Sequence, residues 1–193
     1  MDVAIVYESL YGNTRIVAEA IAEGFRSTRP DANVTVLRID EASPEQVDHV
    51  ALLVVGGPTQ MLRMTTRRTR RLSPSPADDC GDELISKERD AGETGLGVRE
   101  WLHVLPAAAC GCPAAAFDTR LGSAFAGGAA RSISRRLRHH GYHAIAAPKG
   151  FVVTGNVGPL KSGEYDRARL WGVRLARLCT AQRPRATRGN AAS

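Results

Sequence analysis

The sequence is poor in aromatic residues and contains no apolar run long enough to cross a membrane. Aromatic residues make up 5% of the 193 residues and are not interleaved with the arginines, which disfavours a platform for single-stranded nucleic acid. A membrane-spanning helix needs about 20 consecutive apolar residues. The N-terminus also lacks the basic stretch and apolar segment of a signal peptide. These absences predict a cytoplasmic chain that binds no nucleic acid and spans no membrane.

Residue patterns typical of metal sites and hydrolytic centres are missing as well. The four cysteines show no metal-ligand spacing, which favours buried or unreactive thiols over a zinc site or a disulfide; they are Cys80, Cys110, Cys112 and Cys179. No Ser-His-Asp or Cys-His arrangement is evident, and no helix carries paired carboxylates. The sequence therefore predicts neither a metal site nor a catalytic residue.

Positive charge is in excess. The chain has 26 Lys and Arg against 20 Asp and Glu, a net charge of +6, and nearly all of the cations are arginine. A basic surface would suit an acidic redox partner, a peripheral contact with an anionic membrane face, or a phosphorylated ligand. An arginine-rich genomic composition would explain the same balance without any partner.

The N-terminal segment has the pattern of an anion site. An apolar run from Val3 to Tyr7 stops at a turn containing Ser9, Gly12 and Thr14, and a helical pattern follows at once. The first N–H groups of a helix have no partners within it, and the helix dipole favours negative charge there. Without G-x-x-x-x-G-K-[ST] or G-x-G-x-x-G, a single phosphate monoester fits better than a triphosphate or a dinucleotide. Alternatively, the two hydroxyl residues only cap the helix.

This segment resembles the phosphate-binding signature of the flavodoxin family. The strand that ends in Tyr7 and the small turn residues are followed on the helix by Ala18 and Ile21. The resemblance implies that the turn wraps the phosphate of FMN, with Ser9, Leu10, Tyr11, Gly12, Asn13 and Thr14 as the binding residues. Tyr11 departs from the pattern, because many flavodoxins carry a third small hydroxyl residue there.

Strand and helix patterns alternate along the chain. Strands are predicted near residues 3, 34, 50, 113 and 144, each followed by a helix, and this alternation indicates a parallel sheet covered on both faces. The fold class is therefore α/β, a doubly wound three-layer sandwich with a five-stranded parallel sheet in the flavodoxin-like order 2-1-3-4-5. We expect one domain over 1–181, a polar arginine-rich loop or insertion at about 64–95, and a disordered tail at 182–193.

The resemblance also implies that two further turns grip the isoalloxazine ring of FMN. The strand at 50–55 is predicted to end in a glycine-rich turn, and the strand at 113–117 in a polar one. The implied residues are Pro58, Thr59, Gln60 and Met61 in the first turn, and Asp118, Thr119, Arg120, Leu121 and Gly122 in the second. Neither turn offers the aromatic residue that often stacks on the ring in similar proteins, so the ring should be more open to a substrate. A cation such as Arg63 or Arg120 would favour the anionic reduced flavin and make the reduction potential less negative.

Three functions remain open at this stage. The resemblance implies an FMN-binding protein that transfers electrons with a redox partner protein or a small acceptor such as a quinone. An alternative is an FMN-dependent NAD(P)H:quinone or protoporphyrinogen-type oxidoreductase. A second alternative is a flavin-free flavodoxin-like interaction or regulatory module.

Overall fold

A computed structural model describes residues 1–60, 63–64, 97–108, 111–122, 128–155 and 158–181. Most of the predicted loop at 64–95, the tail at 182–193 and the site residue Met61 lie outside these ranges, as do Cys80 and Cys110. Along the described chain the elements are β1 (Asp2–Tyr7), α1 (Asn13–Thr28), β2 (Asn33–Arg38), α2 (Pro44–Asp48), β3 (Leu52–Gln60), β4 (Arg63–Met64), α3 (Val98–Val104), β5 (Pro113–Leu121), α4 (Ala129–His139), β6 (His143–Ala144), β7 (Lys149–Val153) and α5 (Glu164–Ala181).

The sheet has the predicted topology. Its strands run in the order β2-β1-β3-β5, and β5 pairs in parallel with both β6 and β7. The sequence Pro148-Lys149-Gly150 predicts a break in the last strand. The structure does split that strand in two, although the break lies slightly earlier, at 145–148. A short β4 pairs antiparallel with the end of β3. The predicted α/β fold with strand order 2-1-3-4-5 is confirmed.

Two hydrophobic cores lie on opposite faces of the sheet and make it the middle of three layers. Alternate β1 residues point to opposite faces, so Val3 and Ile5 pack with α1 and α5, whereas Ala4 and Val6 pack with α3 and α4. In the first core three rings meet edge to face at 6.2–6.4 Å, namely Phe117, Phe151 and Trp171.

Some local predictions were wrong. The spacing of Ile16, Ala20 and Ile21 predicts that they share the buried face of α1, but Ile16 is 36% exposed. Val17 is fully buried instead, because it lies nearer the centre of the buried face. The strands predicted to end at Val55 and Phe117 continue to Gln60 and Leu121. They continue because each finds hydrogen-bonding neighbours: β5 pairs with β3 as far as residue 119 and with β7 as far as residue 121.

Candidate functional site

The turn between β1 and α1 has the geometry of an anion site. Gly12 adopts a left-handed conformation with φ of 79°, which costs glycine little but strains other residues. Its carbonyl accepts the first bond of α1, from Ile16 N–H at 3.0 Å. The first turn of this 16-residue helix carries no acidic residue, so its N-terminal partial charge has no carboxylate of its own.

Ser9 is the clearest sign of a ligand site at this turn. The residue is only 3% exposed, and its Oγ has no hydrogen-bond partner among the described residues. A buried hydroxyl without a partner costs about 1–3 kcal/mol, so such groups are rarely left unpaired without a reason. An anion in the turn would accept this hydrogen bond.

Thr14 and Thr119 meet in the same place. Their Oγ1 atoms are 2.9 Å apart and buried, which joins the start of α1 to the end of β5. The resemblance implies a contact of Thr119 with the flavin ring, and the structure places its hydroxyl beside the turn between β1 and α1. Strand alternation is the signal that could have found it, because residues 117 and 119 share the face covered by α1.

Asn13 makes a contact that sequence reasoning missed. Its side-chain amide donates to the carbonyl of Gly158 at 2.8 Å, and this bond ties the turn to the segment before α5. No local sequence pattern could have indicated this contact, because the two residues are 145 positions apart. Of the other turn residues, Leu10 is buried and Tyr11 is partly buried.

Gly56 and Gly57 lie within β3, whereas the sequence predicted a turn at these residues. A Cβ on Gly56 would lie 2.0 Å from the ring of Phe117, so only glycine leaves room for that ring. Pro58 and Thr59 follow in the same strand and are partly exposed. Thr59 Oγ1 donates to Asp118 at 3.1 Å and accepts from the N–H of Ala129 at 2.9 Å, so this hydroxyl serves the start of α4.

Asp118 also supports α4. It is fully buried, and its Oδ2 accepts from the N–H of Ala130 at 2.9 Å. Burial raises the pKa of Asp118 above its ordinary value, although the bonds from Ala130 and Thr59 and the charges of Arg120 and Arg131 act to lower it. Its place in the fold makes it a structural residue at the edge of the predicted site.

Arg120 is held by the protein itself. Its Nε lies 3.3 Å from Asp118 Oδ1, and its guanidinium fills the space where a Cβ of Gly150 would stand. The expected effect of this cation on a flavin is therefore reduced by the adjacent carboxylate. Leu121 is 43% exposed and Gly122 is exposed beyond it.

Cys112 is unreactive in this setting. Its Sγ lies 3.0 Å from the carbonyl of Val50, and burial raises the pKa of the thiol to about 11. Among the described residues, no group of three or more His, Cys, Asp or Glu side chains is placed to hold a metal ion. No helix in the described ranges is long and apolar enough to cross a membrane.

The comparisons with known proteins point to flavodoxins. The flavodoxin family model matches residues 5–62, which include the end of β1, the turn that follows it, α1 and β3. A flavodoxin of Aquifex aeolicus (strain VF5) is 41% identical over 85 residues, which is 44% of this chain and 45% of that protein. In this N-terminal part the chain is similar to flavodoxins. The aligned segment spans less than half the length of this curated relative.

Solved flavodoxins share the fold over nearly the whole chain. An archaeal flavodoxin has a TM-score of 0.60 at 19% identity and covers 93% of this chain and 99% of its own. Oxidised flavodoxin 1 of Bacillus cereus has a TM-score of 0.59 at 13% identity, with 95% and 100% covered. At such low identities these two likenesses show the flavodoxin fold alone.

Proposed function

We propose that this chain is a flavodoxin-family protein that binds FMN at the turn formed by residues 9–14 and takes part in electron transfer. The observation that carries the proposal is the buried hydroxyl of Ser9, which lies beside the N-terminus of α1 and has no hydrogen-bond partner in the described part of the chain. Thr14 and Thr119 place two more hydroxyls there. Neutral donors at a helix N-terminus suit a phosphate monoester, so the residues present fit the phosphate of FMN.

The chain would hold and orient the cofactor. Ser9, Thr14 and the first amides of α1 would bind the phosphate, and Thr119 would position the hydroxyl of Thr14. The ring would lie towards Pro58 and the exposed end of β5, where Leu121 offers an apolar side chain. Bound FMN would supply the redox chemistry, which needs no acid or base from the protein.

A titration with two flavins tests the phosphate assignment. FMN should bind and lose fluorescence, whereas riboflavin, which lacks the phosphate, should bind much more weakly. Equal affinities for the two flavins would contradict the assignment, and failure of both to bind would contradict the proposed function.

Replacing Thr14 by valine removes the hydroxyl and keeps the shape of the side chain. If the hydroxyl binds the phosphate, the loss of a charge-assisted hydrogen bond should weaken FMN binding by roughly 1.5–3 kcal/mol. Thr35→Val, an exposed change on β2, is the matched control and should leave affinity unchanged. An unchanged Kd for Thr14→Val would remove Thr14 from the site.

Turnover assays separate a carrier from a reductase. Steady oxidation of NAD(P)H with a quinone, or oxidation of protoporphyrinogen, would identify an enzyme. Reduction only through a separate reductase would identify an electron carrier that works with a protein partner.

A flavin-free interaction module is the second candidate. Two contacts favour it, because the Thr14 hydroxyl is bonded to Thr119 and the Asn13 amide to the carbonyl of Gly158. Both side chains thus already use part of their bonding capacity within the protein. Purified chain with the yellow absorption of bound flavin would exclude this candidate.

A further inference from the structure

A basic groove lies on the sheet face opposite α1 and α5. It has a volume of about 780 Å³ and runs between α3 and α4, with Met64 of β4 at its wall. The phosphate turn of α1 is not part of its lining. One end reaches Gly128, next to Asp118, and the other reaches the end of α4.

The groove gathers basic side chains from two helices. Arg99 comes from α3, Arg131, Arg135, Arg136 and His139 come from α4, and His140 is the C-cap residue of α4. Residues 131, 135 and 139 follow each other at intervals of four, so they form one stripe of the helix, and 136 and 140 form the adjacent stripe. No carboxylate is among the described residues that line the groove.

Helix electrostatics explains only some of these cations. Arg136 and His139 lie in the last turn of α4, where the helix dipole favours positive charge. Arg131 lies in the first turn, where the dipole disfavours it, and Arg135 follows four residues later as a like charge. The Nε of Arg99 is buried and has no acceptor among the described residues. A bound polyanion would offset all three costs.

We propose that this groove binds a soluble nucleotide-type ligand carrying two or more phosphate groups. The planar guanidinium of an arginine can donate two parallel hydrogen bonds to the oxygens of one phosphate group. The volume lies within the range of roughly 300–1,000 Å³ that is typical of small-molecule sites and leaves room for an organic part beside the phosphates. A concave groove of this size suits such a ligand better than it suits a flat protein or membrane surface. The proposal does not depend on FMN binding.

ADP is the probe for the test. Calorimetric titration of the full chain at constant ionic strength should show ADP binding with and without excess FMN, and no binding of adenosine. The double change Arg131→Gln with Arg135→Gln should weaken ADP binding by ~100-fold, since each lost charge-assisted contact is about tenfold. Both arginines are exposed, so we expect the fold to be kept, and an unchanged Kd for FMN would confirm it.

The matched control is Arg174→Gln with Arg177→Gln on α5, which removes the same charge from exposed positions outside the groove. ADP affinity should then change by less than about threefold, as expected for screened long-range charges.

Equal losses in the two double variants would overturn the proposal in favour of a general charge effect. Competition between ADP and FMN with no effect of the α4 variants would assign the ADP to the α1 turn. Binding of a 20-nucleotide strand or of anionic vesicles, without binding of ADP, would also overturn it.

Discussion

At the scale of single residues, Asp118 shows how a side chain that looks like a ligand in the sequence can be used by the fold. It follows an apolar strand at the edge where ligands bind in such sheets. Its Oδ2 instead accepts a hydrogen bond from the N–H of Ala130 at the start of α4, and its Oδ1 lies next to Arg120. Ser9 is the opposite case, since its buried hydroxyl has no described partner and stays available for a ligand.

The raised pKa of Asp118 makes stability depend on pH. A carboxyl whose pKa is higher in the folded than in the unfolded chain takes up its proton more readily when folded. This residue therefore contributes more stability at low pH, and that contribution is lost as the pH rises through its folded pKa. Asp118→Asn removes this dependence. From pH 7 down towards about pH 4, the wild type should gain stability relative to the variant, as measured by urea unfolding at each pH. A constant difference between the two proteins would contradict the raised pKa.

At the scale of elements, α1 and α5 pack at the closest approach of their backbones. A Cβ on Gly24 would lie 1.9 Å from the carbonyl oxygen of Arg169, and a Cβ on Gly172 would lie 2.1 Å from that of Ile21. Neither distance leaves room for a methyl group, so these glycines set how closely the two helices cross. Through this crossing α5 supports the helix whose N-terminus forms the candidate site.

Gly172→Ala should therefore destabilise the protein. The intrinsic helix propensity of alanine is more favourable than that of glycine by about 1 kcal/mol. Forcing a methyl group into a closed helix contact typically costs about 1–3 kcal/mol, and here the obstacle is backbone. The cost should therefore lie at the upper end of this range, and we expect a net loss of about 2 kcal/mol in the free energy of unfolding, measured by chemical denaturation. Gly155→Ala is the control, because its Cβ would find its nearest neighbour at 3.6 Å, and it should have little effect. A more stable Gly172→Ala variant would show that the helices can separate without cost.

At the scale of the whole molecule, ligand binding and folding are linked. FMN bound only by the folded chain should stabilise it by about 2.7 kcal/mol at a free concentration of 100 times Kd. For a domain of this size that corresponds to a rise in Tm of roughly 5–11 °C. Differential scanning fluorimetry would measure it, with riboflavin as the comparison. An unchanged Tm at millimolar FMN would speak against a flavin site and for the flavin-free module.

The sequence by itself determined the order of strands and helices, the buried strands and the turn that holds the candidate phosphate site. These features follow from short-range causes, namely the periodicity of apolar residues and the need for small residues where a helix begins beside a strand. For the same reason apolar spacing predicts the buried faces of α4 and α5 correctly, with Ala130, Ile133 and Leu137 on the first and Ala168, Trp171 and Leu175 on the second. The prediction for Ile16 was wrong, because a neighbour on the same helix lay nearer the core.

Only the tertiary structure decided which polar side chains meet. Thr14 and Thr119 are 105 residues apart, and Asn13 and Gly158 are 145 apart, yet each pair forms a hydrogen bond. The basic groove likewise depends on α3 and α4 lying side by side. Such contacts depend on how the layers of the fold pack and on the register of the strands. The local pattern of the sequence encodes neither the packing nor the register directly. The sequence could therefore indicate a candidate site, but only the packing showed which of its donors have no partner among the described residues.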